Sequence, residues 1–299
     1  MKRIKKLLAA LTSAVMMAVL PASMPTGATT QSRQYTKHVI ATNQTSTYTL
    51  TQTDQSPTLT NSMPDSMQAI IHEPDDRVNG GINGVVQLYR ETGAAYGTGF
   101  IVGDHQIACS AHQVYRQDIY PASTDYFVPS MTVRFYDEDG VLDNNSTVSV
   151  SEIHIPTANI PSGNASTDYA LLTVSADLSD YPHFELGYTC DYNSSEFRAL
   201  DLFVTGSLSG ALMSSKGHVC SNKTSTDTIL YFDANTANGG GTSGGPVFMA
   251  TECTNGNKVY RVYTAFGIVH GGIQGQYNSA HHIDSRDIQF YLNNSYASY

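Results

Sequence analysis

The sequence predicts an all-β fold, and three observations predict it. Short runs rich in Val, Ile, Leu, Phe and Tyr recur from residue 70 onward. Gly, Asn and Asp turns separate them, with no strand–helix alternation, a pattern that indicates a sandwich or a barrel. Only the C-terminus carries a helical pattern. In chain order, the strand-like runs are Val85–Arg90, Gly97–Val102, Gln106–Cys109 after a Gly-Asp turn, and the alternating Thr132–Tyr136. Ala170–Val174, Leu202–Gly206 and Ile229–Phe232 follow. Val247–Met249 and Tyr260–Tyr263 are then joined across an Asn255-Gly256 turn. At the end, Asp284 or Ser285 can cap a helix that places Ile288, Tyr291 and Leu292 on one face. A two-barrel layout would put its boundary near 185–200.

The N-terminus reads differently. Lys2, Arg3, Lys5 and Lys6 precede an apolar stretch from Leu7 to Leu20, and small residues follow up to Ala28. This is the pattern of an export signal over 1–28, with a retained membrane anchor as the alternative. The stretch is short for a bilayer span. Residues 29–69 are rich in Thr, Ser and Gln and poor in large apolar side chains, so the composition predicts a weakly structured pro-segment. The alternative is a flexible stalk. Residues 70–299 are then the folded body, long enough for one large β domain or two small barrels.

That body holds 24 of the 26 acidic residues but only 10 of the 16 Lys and Arg, a formal balance of −14. Such a charge argues against nucleic acid or an anionic membrane as partner and suits a soluble exported protein; a monomer is expected. Four cysteines, Cys109, Cys190, Cys220 and Cys253, allow three full disulfide pairings in an oxidising compartment. Cys109 is alternatively a buried free thiol.

Chemistry concentrates in three places. Gly239-Gly240-Gly241-Thr242-Ser243-Gly244-Gly245-Pro246 sets one serine in a backbone that glycine makes unusually bendable. Such a loop can turn the N–H groups of Gly241 and Ser243 toward one point beside the hydroxyl, forming an oxyanion hole next to a nucleophile. Cys109-Ser110-Ala111-His112 ends an apolar run with a candidate base behind two small residues. Thr167-Asp168-Tyr169-Ala170-Leu171-Leu172 places an orienting acid at the edge of another such run. His105 is the rival base. Asp143, Asp177 and Asp180 are rival acids, each in a more polar stretch. Gly241–Gly245 also satisfies G-x-S-x-G, but the α/β-hydrolase order of Ser, acid, His is not the order found here.

Two weaker clusters carry no ligand pattern. His281-His282 with Asp284 lacks a spaced partner for a metal, and Asp137–Gly140 with Asp143 lacks a dedicated calcium loop. No metal and no cofactor are expected.

These residues resemble the chymotrypsin-like serine proteases, and more closely their bacterial glutamyl-endopeptidase branch. The resemblance rests on Gly99–Val102 leading to Ser110-Ala111-His112, on Thr167–Leu172, on Gly240–Val247, and on Ile70-Ile71 with Pro74–Arg77 as a mature N-terminus. It implies two six-stranded antiparallel barrels with the active site between them, His112 and Asp168 in the first and Ser243 in the second. It implies a secreted precursor whose pro-segment is removed, a substrate class of proteins or peptides, and cleavage after Glu or Asp. In that comparison His270 matches the pocket histidine. Asn238 stands where the branch commonly has a hydroxyl residue, which makes His270 and Asn238 the expected substrate-binding pair. Thr242 replaces the aspartate that digestive relatives place before the nucleophile, so activation would need another device, such as a new amine at Ile70 or Ile71. The alternative from a different class is a catalytically silent protease-like adhesion module.

Overall fold

A computed structural model describes residues 30–53, 78–79 and 84–291, apart from segments 117–125, 138–139, 160–164, 189–192, 209–210, 237–240, 256–257 and 274–276 and positions 222, 227, 285 and 289. The expected signal (1–28), Ile70-Ile71 and Asn238 therefore lie outside the described residues.

The first sheet contains a closed six-stranded antiparallel barrel. It runs β4 (Val85–Arg90), β5 (Ala95–Gly103), β6 (Gln106–Cys109), β9 (Ala170–Val174), β8 (Leu142–Pro156) and β7 (Met131–Tyr136), which returns to β4. The strands that read as unbroken apolar runs are covered on both faces, as such runs require. In β9, Ala170, Leu172 and Val174 point into the barrel core, whereas Leu171 points outward into a second core. In β6, Ile107 and Cys109 face in while Ala108 faces out. This period of two, buried on each side, fixes the register: a one-residue slip would exchange the two faces.

The second sheet runs β13 (Ile229–Phe232), β16 (Tyr277–His282), β15 (Lys258–Ile273), β14 (Pro246–Asn255), β11 (Leu202–Leu208) and β12 (Ala211–Gly217). The short β3 (Val78–Asn79) adds to β12, and β10 (Glu185–Leu186) pairs in parallel with β15. Its two ends meet through a single bridge, Val219 to Phe232, backed by Cys220 N–H donating to the Tyr231 carbonyl at 2.9 Å. The expected second barrel is thus closed by a short contact rather than a full ladder. A one-turn helix, α1 (Ser195–Arg198), follows β10 and precedes β11. Leu202, Val204, Phe232, Val247 and Val269 fill this barrel.

Between the barrels lies the second core, in which Phe100, Tyr169, Phe184, Phe203, Phe248 and Phe290 meet. The C-terminal residues 286–288 and 290–291 are helical, as expected. Asp284 is the cap: its Oδ1 accepts from Arg286 N–H at 2.8 Å and Asp287 N–H at 3.0 Å.

Two expectations are corrected. Residues within the supposed weakly structured stretch form a hairpin, β1 (Thr30–Val39) with β2 (Gln44–Thr53), and β1 extends the first sheet by pairing with Glu152–Pro156 of β8. Composition failed because few of its side chains are aliphatic. The hairpin is anchored instead by Tyr35, buried against Phe290 at 4.4 Å, and by polar partners. The disulfide expectation also narrows, since Cys109 and Cys220 are both buried free thiols. Each of the three full pairings uses both of them, so none of the three is formed.

Candidate active site

β6 runs into a 3-10 turn, Ala111–Gln113, that carries His112. The turn is closed by Val114 N–H donating to the Ala111 carbonyl at 3.0 Å. Just before it, the Ser110 hydroxyl donates to the Val269 carbonyl of β15 at 2.7 Å, so the base is tied to the second barrel from the outset. Ser110 and Ala111 are fully buried, and only small side chains fit there.

Asp168 follows the 3-10 turn Ala165–Thr167 and immediately precedes the entry into β9. Its side chain is 0 % exposed. Both carboxylate oxygens grip His112: Oδ1 accepts from the backbone N–H at 2.8 Å and Oδ2 from Nδ1–H at 2.7 Å. A two-point contact of this kind fixes the tautomer and the ring plane together, leaving Nε2 free to face a nucleophile. Burial alone would raise the Asp168 carboxyl, but the charge and hydrogen bond of His112, joined by His270, hold it well below the ordinary carboxylate range. In return, Asp168 outweighs the burial of His112 and raises that imidazole above its ordinary value of 6.5.

Ser243 occupies a turn, Thr242–Gly245, in which Gly245 N–H donates to the Thr242 carbonyl at 2.9 Å. Gly244 has φ +82°, the left-handed third position of a type II turn, and a Cβ there would meet the Thr98 carbonyl at 2.2 Å. Gly241, before the serine, has φ +104°. The loop is held by the first barrel. The Ser243 carbonyl accepts from Thr98 N–H at 3.0 Å and from Gln113 Nε2 at 2.5 Å. The Thr98 hydroxyl donates to the Gly241 carbonyl and accepts from Ser207 N–H at 2.9 Å. The residue after the base therefore holds the backbone of the nucleophile. Thr98 and Gln113 were not singled out from the sequence; the small-residue run Gly97-Thr98-Gly99 was the available signal.

The backbone N–H groups of Gly241 and Ser243 donate to no acceptor among the described residues. Two unspent donors flanking the serine are what an oxyanion hole needs. The Ser243 hydroxyl has one partner among the described residues, the His270 carbonyl at 3.5 Å, at the limit of a hydrogen bond. It makes no hydrogen bond to His112, so proton transfer requires the hydroxyl to leave that carbonyl and meet the imidazole, a contact that commonly forms only when substrate binds.

His270, the expected pocket histidine, also reaches the acid. Its Nδ1 bonds Asp168 Oδ2, and its ring stands edge-on to His112 with centroids 5.7 Å apart. The cause is local: the β15–β16 register shifts between Val269 and Gly271, so His270 is the extra residue of a β-bulge. A bulge re-aims the side chain it carries. The imidazole turns to the acid, and only its Nε2 edge is left for a substrate. His112, Asp168 and His270 also form the cluster among the described residues with metal-ligand spacing, their ligand atoms all within 4.8 Å. Both Nδ1 atoms already hydrogen-bond Asp168, and that bonding accounts for the spacing. The other histidine pair has a different partner: His281 Nε2 donates to Asp287 at 2.9 Å in a fully buried hydrogen bond. Cys109, beside the base, is held well above an ordinary thiol by burial and the Asp168 charge, which removes it as a competing nucleophile.

Comparison with known proteins agrees with this geometry. Residues 97–253 match the model of the trypsin-like peptidase domain. No curated protein matches the sequence significantly. Among solved structures, a Glu endopeptidase in complex with MPD is similar in fold, with a TM-score of 0.57 and 14 % identity. That similarity covers 75 % of this chain and 99 % of the other.

Proposed function

Because the chain belongs to the trypsin-like peptidase family, whose members are serine proteases, we propose that it is a secreted endopeptidase working through an acyl-enzyme on Ser243. His112 takes the hydroxyl proton as Ser243 attacks the scissile carbonyl, then gives it to the leaving amine. Asp168 keeps the imidazole in the productive tautomer and stabilises the imidazolium. The N–H groups of Gly241 and Ser243 receive the developing oxyanion, where one donor typically contributes about 3 kcal/mol. Water then repeats the sequence in reverse and releases the acid product. The observation that carries this reading is the two-point grip of one buried carboxylate on His112, beside a serine flanked by two unspent N–H donors.

Export through the 1–28 signal and action on proteins or peptides as a monomer complete the proposal. Cleavage after Glu or Asp is the specificity to test first, supported by the sequence resemblance and by the fold shared with a Glu endopeptidase. Its local receptor differs from the expected one, since His270 Nδ1 is committed to Asp168 and only Nε2 can meet a substrate carboxylate. The test is digestion of a peptide library by the wild type and by Ser243→Ala, with cut sites read by mass spectrometry. The wild type should cut and the variant should not. Cuts clustered after residues other than Glu and Asp would remove the acidic preference while leaving the serine mechanism. Equal cutting by Ser243→Ala would remove the mechanism itself.

A further inference from the structure

The N-terminal hairpin sits upstream of the expected maturation point, yet it is built into the catalytic unit. β1 covers the half of β8 that has left β7: Tyr35 to Val39 pair with Pro156 to Glu152, whereas β7 pairs with β8 only up to Ser149. Without β1, that stretch of β8 would be a bare edge, which proteins normally cover. Side chains deepen the join. Tyr35 is buried in the core between the barrels, stacked on Phe290. The Thr36 and Thr157 hydroxyls bond at 2.8 Å, Lys37 pairs with Glu152 at 2.6 Å, and the Tyr48 hydroxyl meets His154 Nδ1 at 3.0 Å.

Arg33 carries the argument to the active site. One of its guanidinium nitrogens donates to Asp287 Oδ1 at 2.6 Å and to the Tyr169 hydroxyl at 2.6 Å; the other reaches Asp284 at 3.3 Å. Asp287 is fully buried, and with Arg33 gone its remaining side-chain partner would be the His281 imidazole. A buried carboxylate stripped of its main cation is strongly unfavourable. Tyr169 lies flat on the His281 ring, with centroids 4.2 Å apart, and also meets the Tyr35 hydroxyl at 3.3 Å. Tyr169 is the residue directly after Asp168. The hairpin therefore holds the side chain adjoining the catalytic acid by hydrogen bonds from two of its residues.

We infer that the 30–53 hairpin is a permanent part of the active protease, retained after any cleavage between it and the barrels, with Arg33 acting through Tyr169 as a positioning residue for Asp168. The retention part stands on packing alone; the positioning part rests on the serine-protease reading above.

The experiment inserts a recognition sequence for a site-specific protease between residues 54 and 69 and cuts the exported chain there. The products are run on gel filtration without denaturant and identified by mass. The fragment carrying 30–53 should co-elute with the body, and a fluorophosphonate should label the cut protein within about twofold of the uncut rate. Separate elution of the fragment overturns the inference, whatever the labelling rate. For positioning, kcat is measured per labelled site. Arg33→Met should lower it about tenfold with KM within twofold, and Arg33→Lys should recover most of the loss, because small misplacements are felt in the chemical step. An unchanged kcat per site in Arg33→Met overturns the positioning role. If Arg33→Met does not fold, the cut-chain measurement and the Lys variant still decide. If the uncut protein takes no label at all, the serine-protease reading fails instead, and co-elution still reports on retention.

Discussion

Thr98→Val is the sharpest test of how the two barrels are coupled at the site. The substitution keeps the shape and removes one hydroxyl. That hydroxyl donates to the Gly241 carbonyl and accepts from Ser207 N–H at 2.9 Å, and the residue is completely buried. Two backbone groups thus lose their partner, the Ser207 N–H in a buried residue and the Gly241 carbonyl in a half-buried one. Each such group costs about 1–3 kcal/mol, so the predicted loss is about 2–6 kcal/mol. For a domain of this size, that is a fall in Tm on the order of 5–20 °C. Gly241 also supplies a proposed oxyanion donor, so kcat should drop by about tenfold or more as its peptide loses its anchor. Stability is measured by urea unfolding in a Ser243→Ala background, which prevents self-digestion, and kcat in the active background. Thr98→Ser is the control: it keeps the hydroxyl and should lose about 1 kcal/mol for the methyl group. A Thr98→Val protein within about 0.5 kcal/mol of the parent, with unchanged kcat, would refute the reasoning, because surface-like tolerance is incompatible with both groups losing their partner.

Other consequences follow from the same geometry. Asp168→Asn offers one oxygen where two imidazoles and a backbone N–H now converge, so the His112 tautomer is lost and kcat should fall about 10⁴-fold, read by active-site-normalised kinetics. Gly244→Ala forces a Cβ into the Thr98 carbonyl at a left-handed φ, and should cost at least about 1–2 kcal/mol in urea unfolding together with most of the activity. The acid limb of kcat/KM should lie above pH 6.5, since Asp168 raises His112 and only the neutral ring accepts the serine proton. A limb at or below the ordinary imidazole value would contradict this. Stability responds in two directions. The raised His112 contributes fully below its unfolded value and loses that contribution as pH rises through its folded one. The lowered Asp168 contributes above its unfolded value of 3.8 and loses its share as pH falls through its folded one. Urea midpoints of Ser243→Ala against His112→Ala and Asp168→Asn double variants, taken across acid and neutral pH, separate the two contributions.

Much of the site was legible because its residues announce themselves locally. His112 ends an apolar strand behind small neighbours, Asp168 opens another, and Ser243 stands among glycines whose φ angles the turn demands. What stayed hidden was set by distant partners. Arg33 finds Asp287 across 254 residues, and no local composition reveals that Tyr35, Thr36 and His38 beside it are buried. β8 was missed because its first half is exposed and rich in Ser, Thr and Asn, and only its second half enters the core. His270 was legible as a site residue but not its bond to Asp168. The bulge at Val269–Gly271 changes which way that one side chain points, and a bulge is a matter of pairing register that a single strand's sequence does not carry.

The most direct measurement is the intact mass of the protein after exposure to a fluorophosphonate, with the adduct located by peptide sequencing. The account predicts one adduct, on Ser243, forming at a rate that collapses in His112→Ala. No adduct, an adduct on another residue, or an undiminished rate without the imidazole would contradict it.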